Sequence, residues 1–335
     1  MADARVVLLK IAVMAVVMGV GWWASRREIL SGELARGLGF LVVEITFPAL
    51  IFVQMLRTVT PDAIRSGWWI PVFSIIAIAG AAWVGQALGG LSGVAPDGRR
   101  TFVFLIAMPN WVFLPLPIAQ ALYGAAGVRF VLLFNLGAQI ALWTLGTALL
   151  RGGLRGGGGW KALLMNRGIA ATLIGVALAL AWPGAATAGL DLRVGAGFRD
   201  YAINGALDAL DMIGALTIPL ALLVTGAQLA TVNHSARIGA RTLGALVAGR
   251  LVLAPALVLA PLRLIAWGCG WRLTQVEFVT AAIILSMPAA VSCTMFVERF
   301  GGNRELSAMG IFYTTLASLI TVPLAVACCQ IGGFR

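Results

Sequence analysis

An all-α polytopic membrane protein is the fold class this sequence predicts. It has ten transmembrane helices as two inverted five-helix repeats, with helices four and nine broken and crossed. Three observations carry that reading. Of the 335 residues 60% are hydrophobic and only 11% charged, with a mean hydropathy of +0.96. A soluble domain is nearer half apolar and a quarter charged, and it needs polar surface to cover its core. The apolar residues fall into ten stretches of membrane-spanning length, about 20 residues each. Proline-containing motifs then recur at matching positions in the two halves.

The stretches run 6–25, 35–57, 67–90, 101–123, 127–150, 167–188, 205–230, 239–262, 275–299 and 305–331. The first reads as a retained helix with its N-terminus outside, because Arg26-Arg27 follows the apolar run and no small-residue cleavage site precedes it. Glu44 and Pro48 stand inside the second. Gly85 and Gly89 in the third give a small-xxx-small spacing, which packs helices within a bundle or joins two copies into a homodimer. Between the fifth and sixth stretches lies RGGLRGGGGWK, residues 151–161, whose six glycines disfavour a helix. It divides the chain into a first repeat (1–150), a cytoplasmic linker (151–166) and a second repeat (167–335).

The formal charge is +11, from 24 Lys and Arg against 13 Asp and Glu. The basic residues stand singly or in pairs between apolar runs, which is the pattern of membrane-flanking charge and not of a nucleic-acid surface. With both termini outside, 13 of them fall in inside loops and 9 in outside segments, the bias that orients helices in a cell (inner) membrane. The four cysteines, Cys269, Cys293, Cys328 and Cys329, sit in apolar runs without metal-ligand spacing and read as buried small hydrophobes. No nucleotide-binding, hydrolase or metalloprotease motif is present, so the sequence predicts neither an enzyme nor a pump with a cofactor or metal. The single histidine, His234, reads as a solvated loop residue.

Internal similarity supports the repeats. TFPALIF around Pro48 matches TIPLALL around Pro219. Met108-Pro109 in the fourth stretch matches Met287-Pro288 in the ninth, and Tyr123-Gly124 matches Phe300-Gly301. Five helices is an odd number, so the second half inserts upside down relative to the first.

Residues 108–117, MPNWVFLPLP, carry the strongest functional signal. Pro109, Pro115 and Pro117 each remove a backbone donor, so the span breaks. Backbone groups freed at membrane depth must line protein or water, and a half-helix N-terminus there suits an anion. Asn110 lies in the break. Pro288 marks a second break, followed by Ala289 and Ala290, which allow close approach, and by Ser292, whose hydroxyl could bond a substrate. Asn135 and Gln139 share one face of the fifth helix. Three acids are candidates for proton or ion coupling: Glu44 within the second helix, and Asp208 and Asp211 near the start of the seventh. Arg250, mid-span in the eighth, needs a partner: it either neutralises an acid or attracts an anionic substrate.

The string MPNWVFLPLPIAQALYG resembles the signature of the auxin efflux carrier family, which includes the plant PIN-FORMED carriers and many bacterial members. Pro109-Asn110, Pro117 and Tyr123-Gly124 fit its first crossover, with Pro115 where Gly is usual and Ile118 where Leu is usual. Gln139 and Trp143 repeat a Q-x-x-x-W spacing of the plant carriers, and residues 287–326 resemble the second crossover and final helix. The resemblance implies a scaffold of helices one, two, six and seven, and a moving transport domain of helices three to five and eight to ten. It implies a substrate carboxylate at the crossover near Asn110, with Gln139 in the inner pocket. The chain departs from the plant pattern at Ile51, where a small polar residue is usual, and at Ala289, where Asn is usual. It also has the glycine linker in place of a long cytosolic loop.

The resulting expectation is a secondary transporter of a small organic anion of the carboxylate class, working by elevator-type alternating access. Its partners are that anion and the lipid bilayer, not nucleic acid. Pro109, Asn110, Gln139, Pro288 and Ser292 are the expected substrate-binding residues. A sodium-coupled symporter of the bile-acid type, on the same crossover plan, is the alternative; it would call for clustered Glu, Gln or Asn at both breaks.

Overall fold

The computed structural model describes residues 4–153, 167–182, 198–230 and 238–331. Among them the secondary structure is helical, with no strand. Among the described residues seven helices are long and apolar enough to cross a membrane: Leu8–Arg26, Gly32–Thr58, Pro61–Leu91, Pro115–Arg151, Ala202–Ala230, Ala240–Gly268 and Arg304–Cys329. Arg167–Ala181 and Gln275–Leu285 are shorter apolar helices. Large apolar side chains such as Val16, Ile76, Trp83, Leu264 and Ile320 stand exposed on these helices. An exposed apolar surface of that kind belongs in lipid. Most of the glycine linker, and His234, lie outside the described residues.

The chain forms two compact units that interleave in sequence. One is built from Val17–Trp69 and Lys161–Gln228. In it, Phe47–Thr58 packs against Arg167–Ala181 and Phe198–Ala215. Glycines allow the approach: Gly175 lies over Phe52 and Met55, and Gly214 over Leu50. Two ion pairs tie this unit together, Arg57 to Asp211 at 3.0 Å and Arg167 to Glu44 at 2.7 Å.

Pro48 and Pro219 lie inside the spans Gly32–Thr58 and Ala202–Ala230, each next to a local irregularity. Pro48 follows a five-residue π turn, Val42–Thr46, and begins Phe47–Thr58. A proline frees the carbonyl four residues before it. Here that carbonyl belongs to Glu44, and it accepts a hydrogen bond from Arg167 Nη1 at 3.4 Å. Pro219 lies in the first turn of Thr217–Ala230, just past an irregular turn at Leu216.

The other unit comprises Met1–Val16, Ile70–Trp160 and Leu229–Arg335. Its core holds two short helices, Arg99–Ala107 and Gln275–Leu285. Residues Thr101–Ala107 of the first and Phe278–Leu285 of the second are all buried. A helix that is apolar all round must sit inside protein, and these two do. Gly85 packs on the Val103 backbone, and Gly310 packs between Leu105 and Leu246. Of the cysteines expected to be buried, Cys293 is buried and Cys329 half-buried, whereas Cys269, just past the Ala254–Gly268 helix, and Cys328 are exposed.

Candidate functional site

Both short core helices stop where proline removes a donor. Arg99–Ala107 ends before Pro109, and helix resumes at Pro115. Gln275–Leu285 ends before Pro288, and helix resumes at Cys293. The two interruptions lie side by side and pair antiparallel through Pro109 and Ala289. Asn110 N–H donates to Pro288 O at 2.8 Å, and Ala290 N–H donates to Met108 O at 3.1 Å. Ala289 N–H donates to Thr314 Oγ1 at 3.2 Å, a bond from the Arg304–Ile331 helix. Pairing accounts for backbone groups that could not be left unsatisfied in an apolar interior.

The glycines of the two matched motifs have a conformational reason. Gly124 takes φ 55°, ψ −137° and kinks the helix that begins at Pro115. Gly301 takes φ 81°, ψ 37° and caps Cys293–Phe300. Both conformations are strained for a residue with a Cβ. Each glycine therefore ends the half-helix that follows an interruption.

Polar side chains gather at the first interruption. Asn110 is buried, and its Oδ1 accepts from Phe113 N–H at 3.1 Å. That bond turns the amide so that the NH2 group is the part left to meet a ligand. Trp111 Nε1 donates to Asn135 Oδ1 at 2.9 Å, and Gln139 Nε2 reaches the same oxygen at 3.5 Å. Asn135 is buried, and its Nδ2 has no partner. Trp143 stacks edge-on against Phe296 at 5.0 Å, with its buried Nε1 also without a partner. Buried donors without acceptors are costly.

The structure thus brings Pro109, Asn110 and Pro288 into one backbone pairing, and joins Gln139 to it through Asn135 and Trp111. Ser292 stands half-buried before the Cys293–Phe300 helix, with no capping bond from its hydroxyl. Glu44, Asp208 and Asp211 lie in the other compact unit. There Glu44 is paired with Arg167, Asp211 is paired with Arg57, and Asp208 is half-buried one turn before Asp211.

Two residues escaped the sequence reading, and a third met other partners than expected. Trp111 and Thr314 were not singled out, since a tryptophan or threonine in a span is ordinarily a packing residue. Arg250 was expected to meet an acid or a substrate. It is instead fully buried, and its Nη1 and Nη2 donate to the carbonyls of Ile106 and Leu285. No group of three or more His, Cys, Asp or Glu is placed to hold a metal among the described residues.

Comparison with known proteins finds transporters. A family model described as membrane transport protein matches residues 6–156 and 159–326. An uncharacterized transporter of Methanocaldococcus jannaschii is 24% identical over 319 residues, which cover 94% of this chain and 96% of the relative.

Proposed function

From the premise that this chain belongs to the membrane transport protein family, that of the auxin efflux carriers its motifs resemble and not a family of enzymes, we propose that it is a secondary transporter of a small organic anion of the carboxylate class. Asn110 binds the carboxylate through its NH2 group, held in place by the backbone pairing around Pro109 and Pro288. Gln139 and Ser292 line the site. The observation that carries this reading is the cluster of buried donors at the first interruption: Asn110, whose oxygen is already bonded, and Asn135, whose NH2 has no partner.

The same proposal takes the chain as ten spans in two inverted repeats, 1–150 and 167–335, with both termini outside a cell (inner) membrane. The matched Met-Pro pairs and the matched positive-φ glycines support the repeat. Alternating access is of the elevator type. The unit holding both interruptions is the carrier domain, and the unit of Val17–Trp69 and Lys161–Gln228 is the scaffold. Glu44, Asp208 and Asp211 are the proposed coupling acids. They sit in the scaffold, two of them already ion-paired, so they act on the transport step and not at the carboxylate.

The test is a thermal-shift screen of carboxylates on the purified protein, followed by uptake of the best ligand in proteoliposomes. A ligand that binds the folded form raises apparent Tm. The reading holds if a carboxylate stabilises wild type but not Asn110→Ala, and it is lost if the mutant responds equally. Replacing sodium by choline during uptake separates this carrier from the bile-acid type of sodium symporter. The buried Ala289 and Ala290 at the second interruption supply none of the side-chain oxygens such a symporter would need there.

A further inference from the structure

Arg250 lies in a five-residue π turn, Gly249–Leu253, inside an apolar span. A π turn within an α-helix is rare and marks functional sites more often than chance. Gly249 beside it has no side chain to hold the helix off. A Cβ there would lie 2.8 Å from Ile106 Cδ1 and 2.7 Å from Leu88 Cδ1. The span thus comes close to the end of Arg99–Ala107. The guanidinium is fully buried, and the two carbonyls it meets belong to different helices.

Those carbonyls are special for a reason the backbone supplies. In a continuous helix Ile106 O would accept from Asn110 N–H, and Leu285 O from Ala289 N–H. Both amides are diverted: Asn110 N–H goes to Pro288 O, and Ala289 N–H to Thr314 Oγ1. Each short helix therefore ends on an orphaned carbonyl inside the protein. A helix C-terminus carries roughly half a negative charge, so two of them together call for about one positive charge. Half-helix C-termini and unwound carbonyls are where ion-coupled carriers hold their cation. Here the one described cation at that point is covalently part of the chain.

We propose that Arg250 is a tethered counter-cation. It occupies the point where the two interrupted helices present their carbonyl ends, a point that would otherwise take a soluble monovalent cation, so the two ends need no such ion. Arg250 is a positioning residue: it holds the ends of both helices at the interruption and does not touch the substrate. The inference rests on the reading of the chain as a carrier, but not on the substrate being an anion.

The experiment reads thermal unfolding of the full-length protein in detergent, in choline chloride and without substrate. Arg250→Ala should lower the apparent Tm by roughly 5–10 °C, since it leaves two buried carbonyls bare. Guanidinium chloride at low, non-denaturing millimolar concentration should restore at least half of that loss and saturate, while wild type does not respond. A variant indifferent to guanidinium, or a wild type stabilised as much as the variant, overturns the proposal. Should Arg250→Ala not fold, Arg250→Lys against Arg250→Gln decides it. Lysine keeps the charge and should unfold at the higher temperature; equal stability would overturn the proposal. Wild-type Tm that depends on sodium would overturn it as well. Because no substrate is present, failure here leaves the carboxylate reading standing, and an empty carboxylate screen leaves this one standing.

Discussion

The two interruptions share a backbone plan and differ in their side chains. At 108–114 the chain carries Asn110 and Trp111, each bonded through its side chain, with Asn135 and Gln139 joined to the same network. At 286–292 the positions equivalent to these two are Ala289 and Ala290, which bond through their backbone N–H groups. On the proposed reading the first recognises the ligand through side chains, while the second supports it through backbone pairing. A symmetric backbone does not require symmetric chemistry. Small residues on one side let the two segments pair closely.

This contrast can be broken by mutation, and the largest effect should come from Asn110→Asp. The new carboxylate can still accept from Phe113 N–H, so the local fold survives. It then presents a negative oxygen where the NH2 group stood, and like charge at close range is repulsive. Uptake of a carboxylate should fall by more than about 100-fold with Tm nearly unchanged. Residual uptake near the wild-type level would mean that the ligand is not an anion or does not meet Asn110.

Asn110→Ala removes the donor without adding charge. A hydrogen bond to a charged group contributes about 1.5–3 kcal/mol, so affinity should drop roughly 10- to 100-fold. Thr314→Val acts on the other interruption and should invert the pattern. It leaves Ala289 N–H buried without an acceptor, at about 1–3 kcal/mol. Apparent Tm should fall by roughly 2–10 °C, while carboxylate affinity in the folded fraction stays within about threefold of wild type. If Thr314→Val cost affinity and not stability, the division of labour between the two regions would be wrong.

Gln139→Leu should weaken binding by roughly 2- to 10-fold, because Gln139 reaches the network at 3.5 Å through Asn135. The smallest effect is expected for Ser292→Ala, within about twofold in affinity, since this hydroxyl caps no helix and belongs to the side of the pair that works through backbone. A large loss in Ser292→Ala would move the recognition site toward the second interruption.

Much of this was legible in the residues. Three prolines within 108–117 are too many for one continuous helix, and the match of Met287-Pro288 to Met108-Pro109 pointed to the second break, so both could be placed to within a few residues. The glycines at 124 and 301 could be matched as a motif, although their positive φ became visible only in the folded backbone. Asn110 could be named because it is the polar side chain within the break, and one of its atoms does serve the loosened backbone, accepting from Phe113 N–H. Arg250 could be named as needing a partner, but not which partner. The same holds for Glu44, which was singled out as an acid in a span and turned out to be paired with Arg167, more than a hundred residues away.

Composition and proline spacing, then, were enough to determine a membrane-embedded helical chain with two interrupted spans, because both depend on local solvation and on backbone donors each residue has or lacks. What only the tertiary structure decided was who meets whom. Asn110 N–H and Pro288 O, Ala289 N–H and Thr314, and the two carbonyls on Arg250 are all pairings in which at least one partner is a backbone group or an ordinary residue. Every residue but proline carries the same N–H, and every residue the same carbonyl, so no pattern of side chains marks in advance which of them will be left over and which distant group will satisfy it.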